Sequence, residues 1–224
     1  MKMLVQAVVT SLFGLLFFGV LLFWPAGTFA YWQAWVFIAI FAGLSCGPTV
    51  YWALRRPDVL RRRMRAGPTA ETRPAQKLAI VGTIATVVAV CVVSALDHRL
   101  GWSQVPLAVV VVGDVLVTLG LAMAMIVVSQ NSFAAATITV EAEQTVVSTG
   151  LYGMVRHPMY VGALIMMVGM PLALDSFWGL VTLVPGVAML ALRIDDEEKM
   201  LRNELAGYDE YMHKVPYRLV PGLW

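Results

Sequence analysis

The chain carries no charged residue between Lys2 and Arg55, and this constrains its fold more than any other feature. An apolar stretch of that length accommodates two membrane-spanning helices of about 20 residues each. It is interrupted by Pro-Ala-Gly-Thr at residues 25–28, so we predict spans over residues 4–24 and 31–54. The first apolar run is too long for a signal peptide, and we expect it in the mature protein. Only 13% of all residues are charged, against about 25% in soluble domains, which excludes a soluble enzyme, a disordered tail and a disulfide scaffold.

Further apolar stretches at residues 78–96 and 105–128 predict a third and a fourth span. Asp114 lies in the middle of the fourth, where we expect it to face the interior of the bundle. Two shorter apolar runs, 161–174 and 176–192, predict a helical hairpin whose arms are near or below the length that crosses a hydrocarbon core of about 30 Å. The sequence therefore predicts an all-α transmembrane bundle of four spans, a C-terminal hairpin and a cytoplasmic C-terminal helix.

Basic residues cluster in segment 55–77, after the second span, where only Asp58 and Glu71 are acidic. The positive-inside rule places this segment in the cytoplasm. We therefore expect a multi-pass protein whose two termini and residues 129–159 lie on the cytoplasmic side. The same residues could bind anionic lipid headgroups, but orientation alone explains them. They are Arg55, Arg56, Arg61, Arg62, Arg63, Arg65, Arg73 and Lys77.

Metal and nucleotide motifs are missing from the sequence. The histidines His98, His157 and His213 and the cysteines Cys46 and Cys91 stand singly, so we expect neither a metal site nor a disulfide. The sequence contains no phosphate-binding loop, dinucleotide fingerprint or nucleophile elbow. The net charge of +2 gives no reason to expect a nucleic-acid partner.

Polar residues precede the predicted hairpin in the motif at 150–162, Gly-Leu-Tyr-Gly-Met-Val-Arg-His-Pro-Met-Tyr-Val-Gly. Pro158 suits the first turn of a helix, which places Arg156 and His157 just before a helix N-terminus. The free N–H groups of such a terminus attract carboxylates and phosphates. Gly162 permits close approach of a helix or a ligand. A basic interfacial anchor with aromatic belt residues explains this motif equally well.

The hairpin is followed by Arg-Ile-Asp-Asp-Glu-Glu-Lys-Met-Leu at residues 193–201. If the helix continues, Arg193 and Glu197 share one face at i, i+4. An exposed pair of this kind is worth only a few tenths of a kcal/mol, so stability is a weak reason for it. One interpretation is a site that recognises a cationic ligand through its carboxylates and an anionic ligand through Arg193. The alternative is a solvated helix segment.

Together these motifs resemble the isoprenylcysteine carboxyl methyltransferase family and its phospholipid methyltransferase relatives. The shared pattern is Gly-x-Tyr-x-x-x-Arg-His-Pro-x-Tyr-x-Gly, a short hairpin, Arg-x-acidic-acidic-Glu-Glu-x-x-Leu, and then Gly207-Tyr208 and Tyr211. The resemblance begins near Asn131 and covers about the last hundred residues. The first four spans match only as generic membrane helices. Prenylcysteine enzymes carry a basic residue before the Asn-Phe stretch, where this chain reads Leu-Ala-Met-Ala-Met at 121–125.

The resemblance implies an S-adenosylmethionine-dependent methyltransferase acting on the carboxylate or amine of a lipidic or prenylated acceptor within the membrane. Residues 129–224 would form the methyltransferase core, joined to the four-span part at 1–128 in one domain. The catalytic residues would be Arg193, placed to hold an acceptor carboxylate, and Arg156. The cofactor would be bound by Gln144, Thr145, Val146, Val147, Tyr152, His157, Pro158, Met159, Tyr160, and Glu197 or Glu198.

Two other classes of protein remain open from the residues alone. A membrane reductase that uses NADPH, similar to the sterol reductases, shares this helical architecture. A non-enzymatic scaffold or small transporter is the second. Transporters place their polar sites near the membrane midplane, whereas the polar residues here gather at one surface.

Overall fold

The computed structural model describes residues 2–64, 67–134, 137, 140 and 144–224, with side chains from residue 5 onward. The described residues form helices and connections without a strand, as the sequence predicts. The helices are α1 (Lys2–Ala26), α2 (Trp32–Arg55), α3 (Pro57–Met64), α4 (Pro74–Leu100), α5 (Leu107–Gln130), α6 (Pro158–Ala173), α7 (Trp178–Val181), α8 (Leu183–Glu204) and α9 (Tyr208–Lys214).

Five stretches among the described helices are long and apolar enough to cross a membrane: most of α1, then α2, α4, α5, and Trp178–Glu204. The protein is therefore an integral membrane protein, and the four predicted spans correspond to α1, α2, α4 and α5. The largest boundary difference is at α4, predicted over residues 78–96. Pro74 extends its start, since proline is favoured in the first turn. Gly101, with φ of 65°, forms its C-terminal cap.

The C-terminal hairpin is longer than its apolar pattern predicts. Its second arm continues as α8 to Glu204 rather than ending at residue 192. Glutamate, lysine, leucine and arginine all favour the helix, so the helix outlasts the apolar run. The turn between the arms contains Asp175 in the left-handed conformation, with φ of 59°.

Hydrogen bonds place the turn of the hairpin at the end of the bundle where α2 begins and α4 ends. The Tyr31 hydroxyl donates to the Leu174 carbonyl over 2.5 Å. The Ser176 hydroxyl donates to the buried Asp97 carboxylate over 2.6 Å. The Gln33 side chain donates to Asp175 over 2.8 Å. The hairpin thus reaches the far end of the bundle, a point that the lengths of its apolar runs left open.

Glycines bring α5 and α6 into backbone contact. An added Cβ at Gly113 would lie 2.2 Å from the Ala173 nitrogen, and one at Gly120 would lie 2.5 Å from the Gly162 carbonyl oxygen. An added Cβ at Gly169 would lie 2.8 Å from the Gly113 carbonyl oxygen. Small residues at a membrane helix interface allow this approach. Gly162, predicted to permit close approach of a helix or a ligand, lies against α5 near Gly120.

Replacing Gly113 tests this interface. We expect Gly113→Ala to destabilise the protein by about 2 kcal/mol, because the added methyl group meets main-chain atoms that cannot rotate away. Gly19→Ala in α1 is the control, since no heavy atom lies within 4 Å of its added Cβ. Thermal unfolding in detergent, followed by circular dichroism, measures both. Equal melting temperatures for the two variants would contradict the proposed contact.

The basic segment 55–77 is partly helical. Its helix α3 buries Val59 and Leu60, and the guanidinium of Arg63 lies 5.6 Å from the ring centre of Trp52. Arg65 lies outside the described residues. The segment therefore packs on the bundle instead of forming a plain loop that only sets orientation.

Candidate functional site

A cavity of about 250 Å³, here called the site cavity, opens at the end of the bundle where α6 begins. Its walls come from the chain after α5, the segment 144–147, the turn before α6, the charged part of α8, and α9. All the predicted site residues except Glu198 line it. They are Gln144, Thr145, Val146, Val147, Tyr152, Arg156, His157, Pro158, Met159, Tyr160, Arg193 and Glu197.

Arg193 and Glu197 are joined through Tyr160. The Arg193 Nε donates to the Tyr160 hydroxyl over 2.9 Å, and that hydroxyl donates to the Glu197 Oε2 over 2.6 Å. The Arg193 Nη2 also donates to the buried Glu71 over 3.2 Å. The helical spacing of four residues thus places a positive and a negative group on one wall, held in register by a hydroxyl from the facing helix.

Glu198 points away from the cavity into a cluster of positive groups. Its Oε1 accepts from the Arg156 Nε over 2.7 Å and lies 3.1 Å from the His157 Nε2. Its Oε2 accepts from the Arg218 Nε over 2.9 Å. A carboxylate paired with two guanidinium groups is ionised and only accepts, so the His157 Nε2 is the donor. Glu198 is 3% exposed, and the geometry separates its role from that of Glu197.

Arg156 also ties the C-terminal tail to the turn before α6. Its Nη1 donates to the carbonyls of Val215 and Pro216 over 2.9 and 2.6 Å. The backbone N–H groups of Arg156 and His157 donate to the next two carbonyls over 2.9 and 3.0 Å. Arg156 therefore lines the site cavity while its donors serve Glu198 and the tail.

The other two carboxylates of the acidic run have partners outside the cavity. Asp195 pairs with Arg218 over 2.9 Å. Asp196 accepts from Arg73 and Gln76, each over 2.7 Å. Among the four consecutive carboxylates, all of them described, Glu197 is the one that lines the site cavity. Dispersal to different partners also limits the repulsion that a run of acidic residues would otherwise cause.

Tyrosines form the wall opposite the charged groups. The Tyr211 hydroxyl donates to the Tyr152 carbonyl over 2.7 Å, and Asn131 donates to the Tyr152 hydroxyl over 3.2 Å. The buried Tyr208 hydroxyl has no hydrogen-bond partner within the described part of the chain. Burial raises the pKa of Tyr152 to about 12 and raises those of Tyr208 and Tyr211 above their usual range. All three are therefore neutral at physiological pH and can donate.

Sequence reasoning from the residues missed several contributors to the cavity. Arg63 lines the cavity, and Glu71 accepts from the lining residue Arg193; both come from the basic segment, which was predicted only to set orientation. Glu71 stands out in hindsight as one of two acidic residues, with Asp58, in a basic segment. Arg63 carries no such signal. The remaining lining residues are Asn131, Phe133, Ala134, Thr137, Met200, Leu201, Leu205, Tyr208 and Tyr211.

Residues 108–206, from the first turn of α5 to just beyond α8, match the family model described as phospholipid methyltransferase. This region is similar to the phospholipid methyltransferase family. The resemblance predicted from the motifs at 150–162 and 193–201 is thereby confirmed. The phospholipid methyltransferase region supplies most of the site cavity, whereas Arg63, Tyr208 and Tyr211 lie outside it.

A curated relative resembles part of the chain. The chain is 36% identical over 86 residues to the delta(14)-sterol reductase TM7SF2 of Mus musculus, and the match covers 37% of this chain. The matched segment spans only 20% of that reductase. No solved structure shows a significant match to the chain.

Proposed function

We propose that this membrane protein is a methyltransferase that uses S-adenosylmethionine and methylates the carboxylate of a lipid-like acceptor. The observation that carries the proposal is the placement of Glu197 and Arg193 on one wall of the site cavity, coupled through Tyr160. A cavity with a negative group beside a positive one suits two ligands of opposite local charge. We propose further that this cavity faces the cytoplasm, because the basic segment 55–77 supplies part of its wall.

The residues present fit the proposed cofactor. Glu197 is one-fifth exposed and offers a carboxylate to the ammonium group of the cofactor. The peptide groups of residues 145–147 make no hydrogen bond within the described part of the chain and can serve its polar edges. The unpartnered Tyr208 hydroxyl supplies a further donor. When bound, S-adenosylmethionine supplies a methyl group on a positive sulfur, which becomes a neutral thioether as a new C–O bond forms.

A carboxylate acceptor fits the protonation of the site better than an amine. An amine must lose a proton before it can attack, which requires a nearby base. The two groups suited to that role are committed, because His157 donates to Glu198 and Glu198 accepts from Arg156 and Arg218. A carboxylate needs no base, only a positive group to orient it and exclusion of water. Arg193 supplies the positive group.

Cofactor binding tests the proposal directly. Titration calorimetry of the purified protein with S-adenosylhomocysteine should show saturable binding. Glu197→Gln should weaken it about tenfold, since a charge-assisted hydrogen bond becomes a neutral one. Glu204→Gln, at an exposed position on the same helix, is the matched control and should bind as the unaltered protein does. Unaltered affinity in Glu197→Gln would rule out this role for Glu197.

A reductase is the second candidate function, and the similarity to the mouse sterol reductase favours it. The same titration carried out with NADPH separates the two. Binding of NADPH without binding of S-adenosylhomocysteine would replace the methyltransferase proposal by a reductase.

A further inference from the structure

A second cavity, of about 400 Å³, lies between α1, α2 and α3 and is here called the α1–α2 cavity. Its wall follows residues 6–15 of α1 and 41–52 of α2, the halves of these helices next to α3. At 1.5 Å per residue, this part of α1 is about 14 Å long, roughly the depth of one leaflet of the hydrocarbon core. The cavity therefore runs into the membrane from the end of the bundle that carries the site cavity.

Arg63 joins the two cavities, because its side chain lines both. It is the one charged side chain on the described wall of the α1–α2 cavity; small, apolar and hydroxyl-bearing residues make up most of the rest. Within the described residues Arg63 forms no ion pair, and its guanidinium packs on the ring of Trp52. Burial lowers the pKa of Arg63.

Arg63 is a half-buried guanidinium that lines both an uncharged groove and a polar cavity and has no ion pair among the described residues, an arrangement that suits an amphipathic anion. A hydrocarbon chain in the groove meets no charged side chain on the described wall other than Arg63, and an anionic head can form an ion pair with Arg63. The groove follows a single line between two helices, which suits one chain rather than two. Arg63 also lines the site cavity, which connects this ligand to the reaction proposed there.

We propose that the α1–α2 cavity holds the hydrocarbon chain of the methyl acceptor, a single-chain lipid carboxylate whose head group passes Arg63 into the site cavity. Arg63 and Arg193 then supply the two positive groups that face the carboxylate. This inference rests on the proposed function and adds the acceptor's class and a residue that selects it.

Photo-crosslinking tests the inference with three probes that carry the same diazirine chain: a long-chain fatty acid, the matching alcohol, and a phosphatidylcholine. Each is added to the purified protein in detergent, and labelled peptides are identified by mass spectrometry. The acid should label residues 6–15 and 41–52 at least about tenfold more than the alcohol or the phosphatidylcholine. Equal labelling by all three would make this groove a site for any membrane lipid and overturn the inference.

Two variants with matched controls locate the ligand. Arg63→Gln should reduce labelling by the acid about tenfold and leave that by the alcohol unchanged, whereas Arg61→Gln, at an exposed position of α3, should change neither. Gly14 lines the groove with open space around its Cβ position, so Gly14→Leu should block labelling by filling it. Gly19→Leu is its control and should leave labelling unchanged, because Gly19 has equal open space on the same helix but does not line the groove. Insensitivity to both Arg63→Gln and Gly14→Leu would disprove the assignment.

Crosslinking needs neither cofactor nor turnover, so it tests the acceptor site independently of the proposed methyltransferase function. Specific labelling by the acid in a protein that does not bind S-adenosylhomocysteine would overturn the proposed function alone. Normal cofactor binding without specific labelling would overturn the acceptor site alone. Binding of S-adenosylhomocysteine by Gly14→Leu confirms that this variant is folded.

Discussion

Glu198→Ala is expected to destabilise the protein by about 3–5 kcal/mol, the usual consequence of removing one partner from a buried ion pair. The carboxylate is 3% exposed and accepts from both Arg156 and Arg218. Without this carboxylate, the Arg156 guanidinium would stay charged and 8% exposed, and its partners among the described residues would be the carbonyls of the C-terminal tail.

Thermal unfolding in detergent measures this effect, and limited proteolysis reports whether the tail is released. Asp195→Ala is the matched control, because Asp195 is also an acidic α8 residue paired with Arg218 but is half exposed. Its loss should cost less than about 1 kcal/mol. If Glu198→Ala and Asp195→Ala have the same melting temperature, Glu198 does not hold the tail against the turn before α6. The assignment of Glu198 to this structural role, rather than to cofactor binding, would then lose its basis.

The relative positions of the polar side chains of the site were predictable where the residues are close in sequence. Proline is favoured in the first turn of a helix, so the sequence alone predicts that Arg156 and His157 lie just before the helix that Pro158 begins. Helical periodicity likewise places Arg193 and Glu197 on one face. What periodicity cannot give is the hydroxyl of Tyr160 between them, because it depends on how α6 packs against α8.

Contacts between distant segments were not predictable from local patterns. Glu71 and Arg193 are separated by 122 positions, and nothing in either segment indicates the other. The choice between Glu197 and Glu198 also required the fold, because adjacent helical residues differ in direction by about 100° and only packing decides which one meets the cavity. The length of the hairpin was underestimated because an apolar run measures the membrane-facing part of a helix rather than the helix itself.

Arg193→Ala is expected to reduce methyl transfer by about 10²–10³-fold while leaving the affinity for S-adenosylhomocysteine within about threefold. The assay supplies S-adenosylmethionine labelled in its methyl group together with a total lipid extract, and counts label in the organic phase. Arg193→Lys should lose nearly as much. A lysine ammonium cannot reproduce the planar arrangement in which Nε meets Tyr160 while Nη2 meets Glu71.

The controls decide whether Arg193 acts on the acceptor or only supports the fold. Arg202→Ala removes an exposed arginine from the same helix and should change transfer by less than about twofold. A purely structural Arg193 would lower transfer, cofactor affinity and melting temperature together, because Glu71 would be left buried without its partner. Glu71→Gln separates this contribution, since it keeps an acceptor for the Arg193 Nη2 and removes the buried charge. If Glu71→Gln restores transfer to Arg193→Ala, Arg193 serves to neutralise Glu71; if transfer stays low in the double variant while cofactor binding is normal, the guanidinium acts on the acceptor itself.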